Sequence, residues 1–474
     1  VWENLVIFTG ASANQSILMT SQASRKATQL DEIDQAVKFN EPVGPDHPFY
    51  TDFSNVRGDF NEKTTYRILN VKSKGRKFTF NAELNSSEKK LFFLGGMRGS
   101  GKTSELAKYA SNLHHPDCFF VVTCNIDEAL DMNDVEYMDV LIFQLERLTY
   151  ELDQALVDVD KSIISKMQKW FQTRETEIKN ALKGNIGFEL GVKAESPSIL
   201  ESILSIFGQL KVGIQGSKEQ AMAIRSSLKN KFSDFADIFN QYIEEANLAL
   251  RRMGEGQEIL FIVDGLEKTM SSDMRRKIIM EESNRLRQIR AYTIFTLPIE
   301  LMKERQKISQ FSSVESFPYV KIVERQGGEV KEAFDVFEEF VYKRIDSSLF
   351  ESPEVVKKAI RYGGGSPREL LRILEASAFN ADEEKGMLDN ACLDAALKRL
   401  ANQSAQYLTQ EKLNVLKEIH HNNQEGQATP FSELVGEMLE DIILMEYNDG
   451  SYKRVNPVVE RSDLYQQQVL GQSA

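Results

Sequence analysis

Cysteine is scarce in this sequence, long apolar runs are lacking and positive charge is outnumbered by negative, and each shortage excludes something. Three cysteines in 474 residues, Cys118, Cys124 and Cys392, form no CxxC pair and no zinc-ligand spacing. A disulfide framework is therefore excluded, and a reducing, cytoplasmic setting is the expectation. No run approaches the roughly eighteen apolar residues of a membrane-spanning helix, so no membrane role is expected. The apolar patch Leu5-Val6-Ile7-Phe8 follows Glu3 and has no Lys or Arg before it, which does not read as a secretory leader. Lys and Arg number 58 against 71 Asp and Glu, a net charge of −13. A chain this acidic does not draw nucleic acid through its overall field. What is present, 41 % hydrophobic and 27 % charged residues, excludes a wholly disordered chain. The length suits about two to four domains.

Residues 1–45 are rich in Ser, Asn, Gln and Thr and poor in apolar periodicity, which predicts a weakly structured arm. Four short apolar runs beyond it read as buried parallel strands: Leu91 to Leu94, Cys118 to Cys124, Ile259 to Val263 and Tyr292 to Leu297. Tyr319 to Val323 is a weaker fifth. Helical spacing follows the first strand, with Leu106, Tyr109, Ala110 and Leu113 on one face. Strands alternating with helices predict an α/β fold, a parallel sheet with helices on both faces. A mainly helical insertion occupies 130–255. It has a long helix or helical hairpin from Val135 to Trp170, and helix again from Ser226 to Leu250. Gly187 to Lys193 and Leu210 to Gln215 alternate and read as two strands around an apolar helix, Ile199 to Phe207. Residues 46–330 form the core, 331–404 a helical region, and 405–474 a terminal module. In that module two helices precede a hairpin, Ile442–Tyr447 and Tyr452–Val458, around Asn448-Asp449-Gly450-Ser451. Helices followed by a two-stranded wing suggest a winged helix.

The strongest chemical signal is Gly96-Met97-Arg98-Gly99-Ser100-Gly101-Lys102-Thr103, a full G-x-x-x-x-G-K-[ST] loop with a strand before it and a helix from Thr103 and Ser104 after it. Its glycines let backbone N–H groups curl around phosphate oxygens, and the helix start adds its dipole. Lys102 is placed to reach the β- and γ-phosphates, and Thr103 to hold Mg²⁺. The apolar strand ending in Asp264 supplies the carboxylate that meets the metal or its water. Gly265 follows it where a catalytic Glu is usual, so Glu267 is the candidate to orient or deprotonate the attacking water.

The set GGMRGSGKT, FIVDGLEK, YTIFTLP and GGGSPREL resembles the AAA+/STAND group of P-loop ATPases, the branch with origin-recognition-type initiators and bacterial STAND-like regulators. The resemblance implies ATP and Mg²⁺ as ligands, a helical lid over 331–404 and a winged helix after it. It implies that Thr296 stands near the γ-phosphate, Pro367 against the adenine and Arg368 at a second sensing position. It implies an arginine that completes the site, Arg290 with Arg285 and Arg287 as rivals. It also likens Asp52-Phe53-Ser54-Asn55-Val56-Arg57-Gly58 to an adenine-pocket segment. Three departures stand out: the displaced glutamate, the lack of any single arginine that stands out as a finger, and the spacing of 162 residues from Lys102 to Asp264.

The terminal module carries five Lys or Arg against eleven Asp or Glu, a net of −6, which disfavours DNA and favours a protein partner. The expected activity is an ATP-hydrolysing switch that controls oligomerisation or engagement of a partner from another chain, in a bacterial stress or antiviral setting by analogy. A DNA-remodelling ATPase and a non-hydrolysing ATP scaffold are the alternatives.

Overall fold

In the computed structural model, the described residues are 25–471, without 59, 76, 83–89, 183–198, 311, 326, 449 and 451. The chain divides into two compact units. One is Asn61–Gly96 with Tyr109–Ser316, here the sheet unit. The other is Val1–Phe60, Met97–Lys108 and Phe317–Ala474, here the helical unit.

The sheet unit begins with a small antiparallel pair, β1 (Val71–Lys74) and β2 (Lys77–Phe80). Its main sheet has β3 (Leu91–Gly96), β4 (Phe119–Asn125), β5 (Glu258–Asp264), β6 (Tyr292–Leu297) and β7 (Ser313–Phe317), in the order β4-β5-β6-β3-β7. The pairs β3–β6, β4–β5 and β5–β6 are parallel. Every residue of β5 and of β6 is buried, which is why these strands are unbroken apolar runs instead of alternating ones. The fifth strand is Ser313–Phe317 and not the expected Tyr319 to Val323, where Tyr319 and Val323 make only isolated bridges.

Helix α1 (Lys102–Leu113) follows β3 and the phosphate loop. Between β4 and β5 lie α2 (Tyr137–Gln154), α3 (Lys161–Ala181), α4 (Ile199–Ile214), α5 (Lys218–Asn230) and α6 (Phe232–Met253). Helix α2 packs on β4 and α6 on β5, so this insertion and the sheet share one apolar core. Leu210 to Gln215 is not a strand: α4 runs through it to Ile214. Leu210 is buried there while Val212 is 71 % exposed, a split that a strand face would not allow. The partner strand expected at Gly187 to Lys193 lies outside the described residues.

In the helical unit, α7 (Lys331–Tyr342), α8 (Pro353–Gly363), α9 (Pro367–Ala378) and α10 (Asn390–Ala405) build a second core. Then come α11 (Gln410–Gln424), α12 (Glu433–Glu440) and an antiparallel hairpin of β8 (Leu444–Tyr447) and β9 (Tyr452–Val455). Residues 25–45 correct the expectation of a loose arm. Ala27, Ile33, Ala36 and Val37 are buried in this core, and Ala27 exchanges backbone hydrogen bonds with Arg344 and Asp346. Polar composition hid these apolar anchors: Ala27 in a bridge to Ile345, and Ile33, Ala36 and Val37 in and just after a short helical stretch.

Together, the parallel sheet and the strand–loop–helix passage through Gly96 to Lys102 fit a P-loop NTPase fold.

Candidate functional site

Two sets of predicted residues are assembled, each within its own unit. In the sheet unit, Gly96, Asp264 and Thr296 lie at or next to the carboxyl ends of β3, β5 and β6, at one edge of the sheet. Parallel α/β sheets bind ligands beyond this edge. Thr296 is fully buried and registers against Leu94 of β3. The N–H of Gly265 donates both to Asp264 Oδ1 at 2.9 Å and to Thr296 Oγ1 at 3.2 Å, so one backbone group ties the carboxylate and the hydroxyl together. Glu267 lies on the turn Leu266–Lys268, and its Oε2 is buried without a hydrogen-bond partner.

The structure also explains why Gly265 stands where a glutamate was expected. Its φ is +100°, and a Cβ there would lie 2.8 Å from Asp127 Oδ1. A side chain at this position would meet both backbone strain and a carboxylate. Asp127, on the helical turn after β4, escaped the sequence reading. It pairs with Lys268 at 2.5 Å, and although burial alone would lower the Lys268 ammonium, that pairing raises it.

Arg290 is not brought to this edge. It precedes β6, whose far end carries Thr296, so about six strand residues, roughly 20 Å, separate the two. Its backbone N–H is bound to Asn240 and its side chain is exposed. Arg285 lies over the Phe232 ring at 4.9 Å.

In the helical unit, the phosphate loop is held from outside. Four successive carbonyls each accept from a side chain. Lys102 Nζ donates to Met97 O at 2.9 Å, Tyr319 OH to Arg98 O at 2.5 Å, Ser366 Oγ to Gly99 O at 3.2 Å and Arg57 Nη2 to Ser100 O at 2.7 Å. Gly99 and Gly101 have φ of +76° and +96°, conformations that favour glycine. A Cβ on Gly99 would lie 2.8 Å from Arg368 Cβ. Lys102 is buried, and Thr103 and Ser104 open α1 half-buried.

A peptide's C=O and the next residue's N–H point in opposite directions, because the bond is planar and trans. Fixing the carbonyls of Arg98 and Ser100 outward therefore turns the N–H groups of Gly99 and Gly101 inward. Among the described residues nothing accepts from those two N–H groups or from that of Arg98. Ser100 is fully buried and its Oγ has no partner. Unpaired N–H donors around a glycine loop at a helix start, beside a buried hydroxyl without a partner, suit an anion.

Arg57 sits in the segment likened to an adenine pocket. Its guanidinium lies 4.0 Å from the Phe317 ring centroid and also donates to Pro318 O. Pro367 is the first residue of α9, with Ser366 as its cap, and Arg368 Nε donates to Phe39 O at 3.3 Å. Tyr319 and Ser366 anchor the loop from positions whose sequence context implies no such role. Tyr319 lay inside an apolar run, and Ser366 read only as part of a turn.

Four of the five basic residues of the terminal module are paired with carboxylates, and the fifth, Lys417 of α11, is exposed. Lys453 is buried against Glu446 at 3.3 Å. Arg454 meets Glu460, Lys412 meets Glu437 and Asp441, and Arg461 meets Asp394.

No family model matches the chain, and no curated protein sequence matches it. Among solved structures, the chain is similar to the Walker-type ATPase of Pyrococcus abyssi at 13 % identity and a TM-score of 0.38, over 87 % of this chain and 98 % of that one.

Proposed function

We propose that the chain is a P-loop ATPase of the AAA+/STAND kind, a switch whose nucleotide state controls self-association or engagement of a partner protein. The observation that carries this reading is the phosphate loop itself: N–H groups of Arg98, Gly99 and Gly101 without acceptors, beside the buried Lys102 and the orphaned Ser100 hydroxyl. Phosphate oxygens accept from these groups, and Lys102 exchanges the Met97 carbonyl for phosphate. Thr103 and Asp264 hold Mg²⁺, which neutralises charge on the transferred phosphoryl group. Thr296 and the Gly265 N–H hold the Asp264 carboxylate in place. Glu267, with one carboxylate oxygen unengaged, orients the attacking water and takes its proton.

On this reading α7 to α10 form the lid, and α11, α12, β8 and β9 the winged helix. Pro367 lies at the adenine and Arg368 beside it. The output is a protein contact and not DNA, supported by the paired cations of the terminal module, where a DNA reader needs free ones. With Arg290 at the opposite sheet edge from Asp264, an arginine that completes the site comes from a neighbouring copy. A role in bacterial stress or antiviral defence rests on the resemblance. One observation favours a second reading, an ATP-holding scaffold without turnover: no carboxylate directly follows Asp264.

The test separates the two. Glu267→Gln keeps ATP binding and lowers turnover by about 10²-fold or more, the usual contribution of a positioned base. Lys102→Ala abolishes binding. Unchanged turnover in Glu267→Gln removes that residue from the chemistry, and a wild-type chain that binds ATP without turnover at any protein concentration supports the scaffold.

A further inference from the structure

The outward anchoring of the phosphate loop continues into the terminal hairpin. Tyr319 joins them. Its hydroxyl holds Arg98 O, while its backbone N–H donates to Glu446 O of β8 at 3.3 Å and its ring stands 6.4 Å from that of Tyr447. The next residue, Val320, donates its N–H to Gly365 O at 3.2 Å. Tyr447 OH donates to Gly364 O at 2.6 Å, and Ser366, two residues on, holds Gly99 O. There is no slack between these parts. A Cβ on Gly365 would lie 1.8 Å from Val320 O, and one on Gly364 would lie 2.4 Å from Met445 Sδ of β8. Both tyrosines are buried, and burial pushes both phenols well above their ordinary value, so each remains a protonated donor.

We propose that Tyr319 and Tyr447 are positioning residues of the nucleotide site, through which the β8–β9 hairpin sets the affinity of the phosphate loop for its anion. This rests on the reading of the loop as an ATP site. Tyr319 acts one bond away. By holding the Arg98 carbonyl outward it aims the Gly99 N–H at phosphate. Tyr447 touches no atom of the loop. It holds the Gly364 carbonyl, and with it the turn that presents Ser366 to Gly99. A shift of the hairpin therefore changes how tightly the chain holds nucleotide, and reciprocally nucleotide changes how the hairpin is held.

The experiment measures equilibrium binding of ATP and of inorganic tripolyphosphate to the full chain, its Tyr319→Phe and Tyr447→Phe variants, the double variant and Lys102→Ala, with thermal melts of each. Loss of one hydrogen bond worth about 1.4 kcal/mol predicts about tenfold weaker binding for Tyr319→Phe. Tyr447→Phe weakens binding by about threefold. Both losses are equal for ATP and tripolyphosphate, because the phosphates and not the base feel them. The double variant falls short of the product of the singles, since the two tyrosines act on adjacent carbonyls of one loop, Arg98 and Gly99. The proposal is overturned if Tyr447→Phe binds tripolyphosphate as wild type does, or if both losses appear with ATP alone. If Tyr319→Phe loses its cooperative melt, Tyr447→Phe decides alone. Retained tight binding by Lys102→Ala overturns the ATP site itself, which distinguishes that failure from this one.

Discussion

Placing an alanine at Gly265 tests why this chain carries its candidate base at Glu267. The native φ of +100° is open to glycine and costs an L-residue about 1 kcal/mol. The new Cβ would meet Asp127 Oδ1 at 2.8 Å and Asp127 N at 3.2 Å. The carboxylate is mobile and retreats, which breaks its contact with Lys268. That pair is 39 % and 29 % exposed at its two side chains, so solvent limits its worth to about 0.5–1 kcal/mol. Gly265→Ala should therefore destabilise the sheet unit by about 2 kcal/mol. In an Asp127→Ala background the carboxylate clash is gone, while the φ strain and the backbone contact remain. The cost of Gly265→Ala should then fall to about 1 kcal/mol, a coupling of about 1 kcal/mol between the two sites. Urea denaturation of the four proteins measures it, in a Trp2→Phe background that leaves Trp170 of α3 as the lone tryptophan. Zero coupling, or a Gly265→Ala protein as stable as its parent, refutes the steric account. With it falls the explanation of why no carboxylate directly follows Asp264.

Two further outcomes are expected. Lys453→Met leaves Glu446 buried without its cation and should cost about 3 kcal/mol in urea melts, while affinity for random duplex DNA at low salt stays at the wild-type level; a large drop in that affinity would return the hairpin to the DNA-binding class. Asp389 caps α10, and its hydrogen bonds from Lys385 and the Cys392 N–H hold its carboxyl down at about 2 against an ordinary 3.8. Its contribution is thus complete above pH 3.8 and lost as pH falls through 2. The stability gap between wild type and Asp389→Asn should narrow over that window, and a gap constant from pH 5 to pH 2 counts against the assignment.

The central sheet was legible because both faces of a parallel strand are covered, which writes each strand as an apolar run. Tyr292–Leu297 was bounded to the residue on that ground. The phosphate loop was legible because left-handed backbone at Gly99 and Gly101 restricts those positions to glycine. Where the reading failed, local alternation competed with a longer period. In Leu210 to Gln215, Leu, Val and Ile alternate as a strand face would. The wider series Leu200, Ile203, Ile206, Phe207 and Leu210 carries the helical period that buries them.

The anchors of the site were illegible for a different reason. A motif marks residues whose backbone or side chain meets the ligand. Arg57, Tyr319 and Ser366 meet the loop's outward carbonyls, from positions 43, 221 and 267 residues away in sequence from their acceptors. No local pattern encodes such a contact, because any buried donor at the right place in the fold serves. In the sequence, Arg57 falls in a segment that resembles an adenine pocket, Tyr319 in an apolar run and Ser366 in a turn. Yet these donors decide which way the loop's N–H groups point. The glycines permit the phosphate-binding conformation, and the distant side chains select it. That division predicts where function can be lost without touching the motif: at Tyr319 or Arg57, a substitution that leaves all eight loop residues intact removes the direction of one inward N–H.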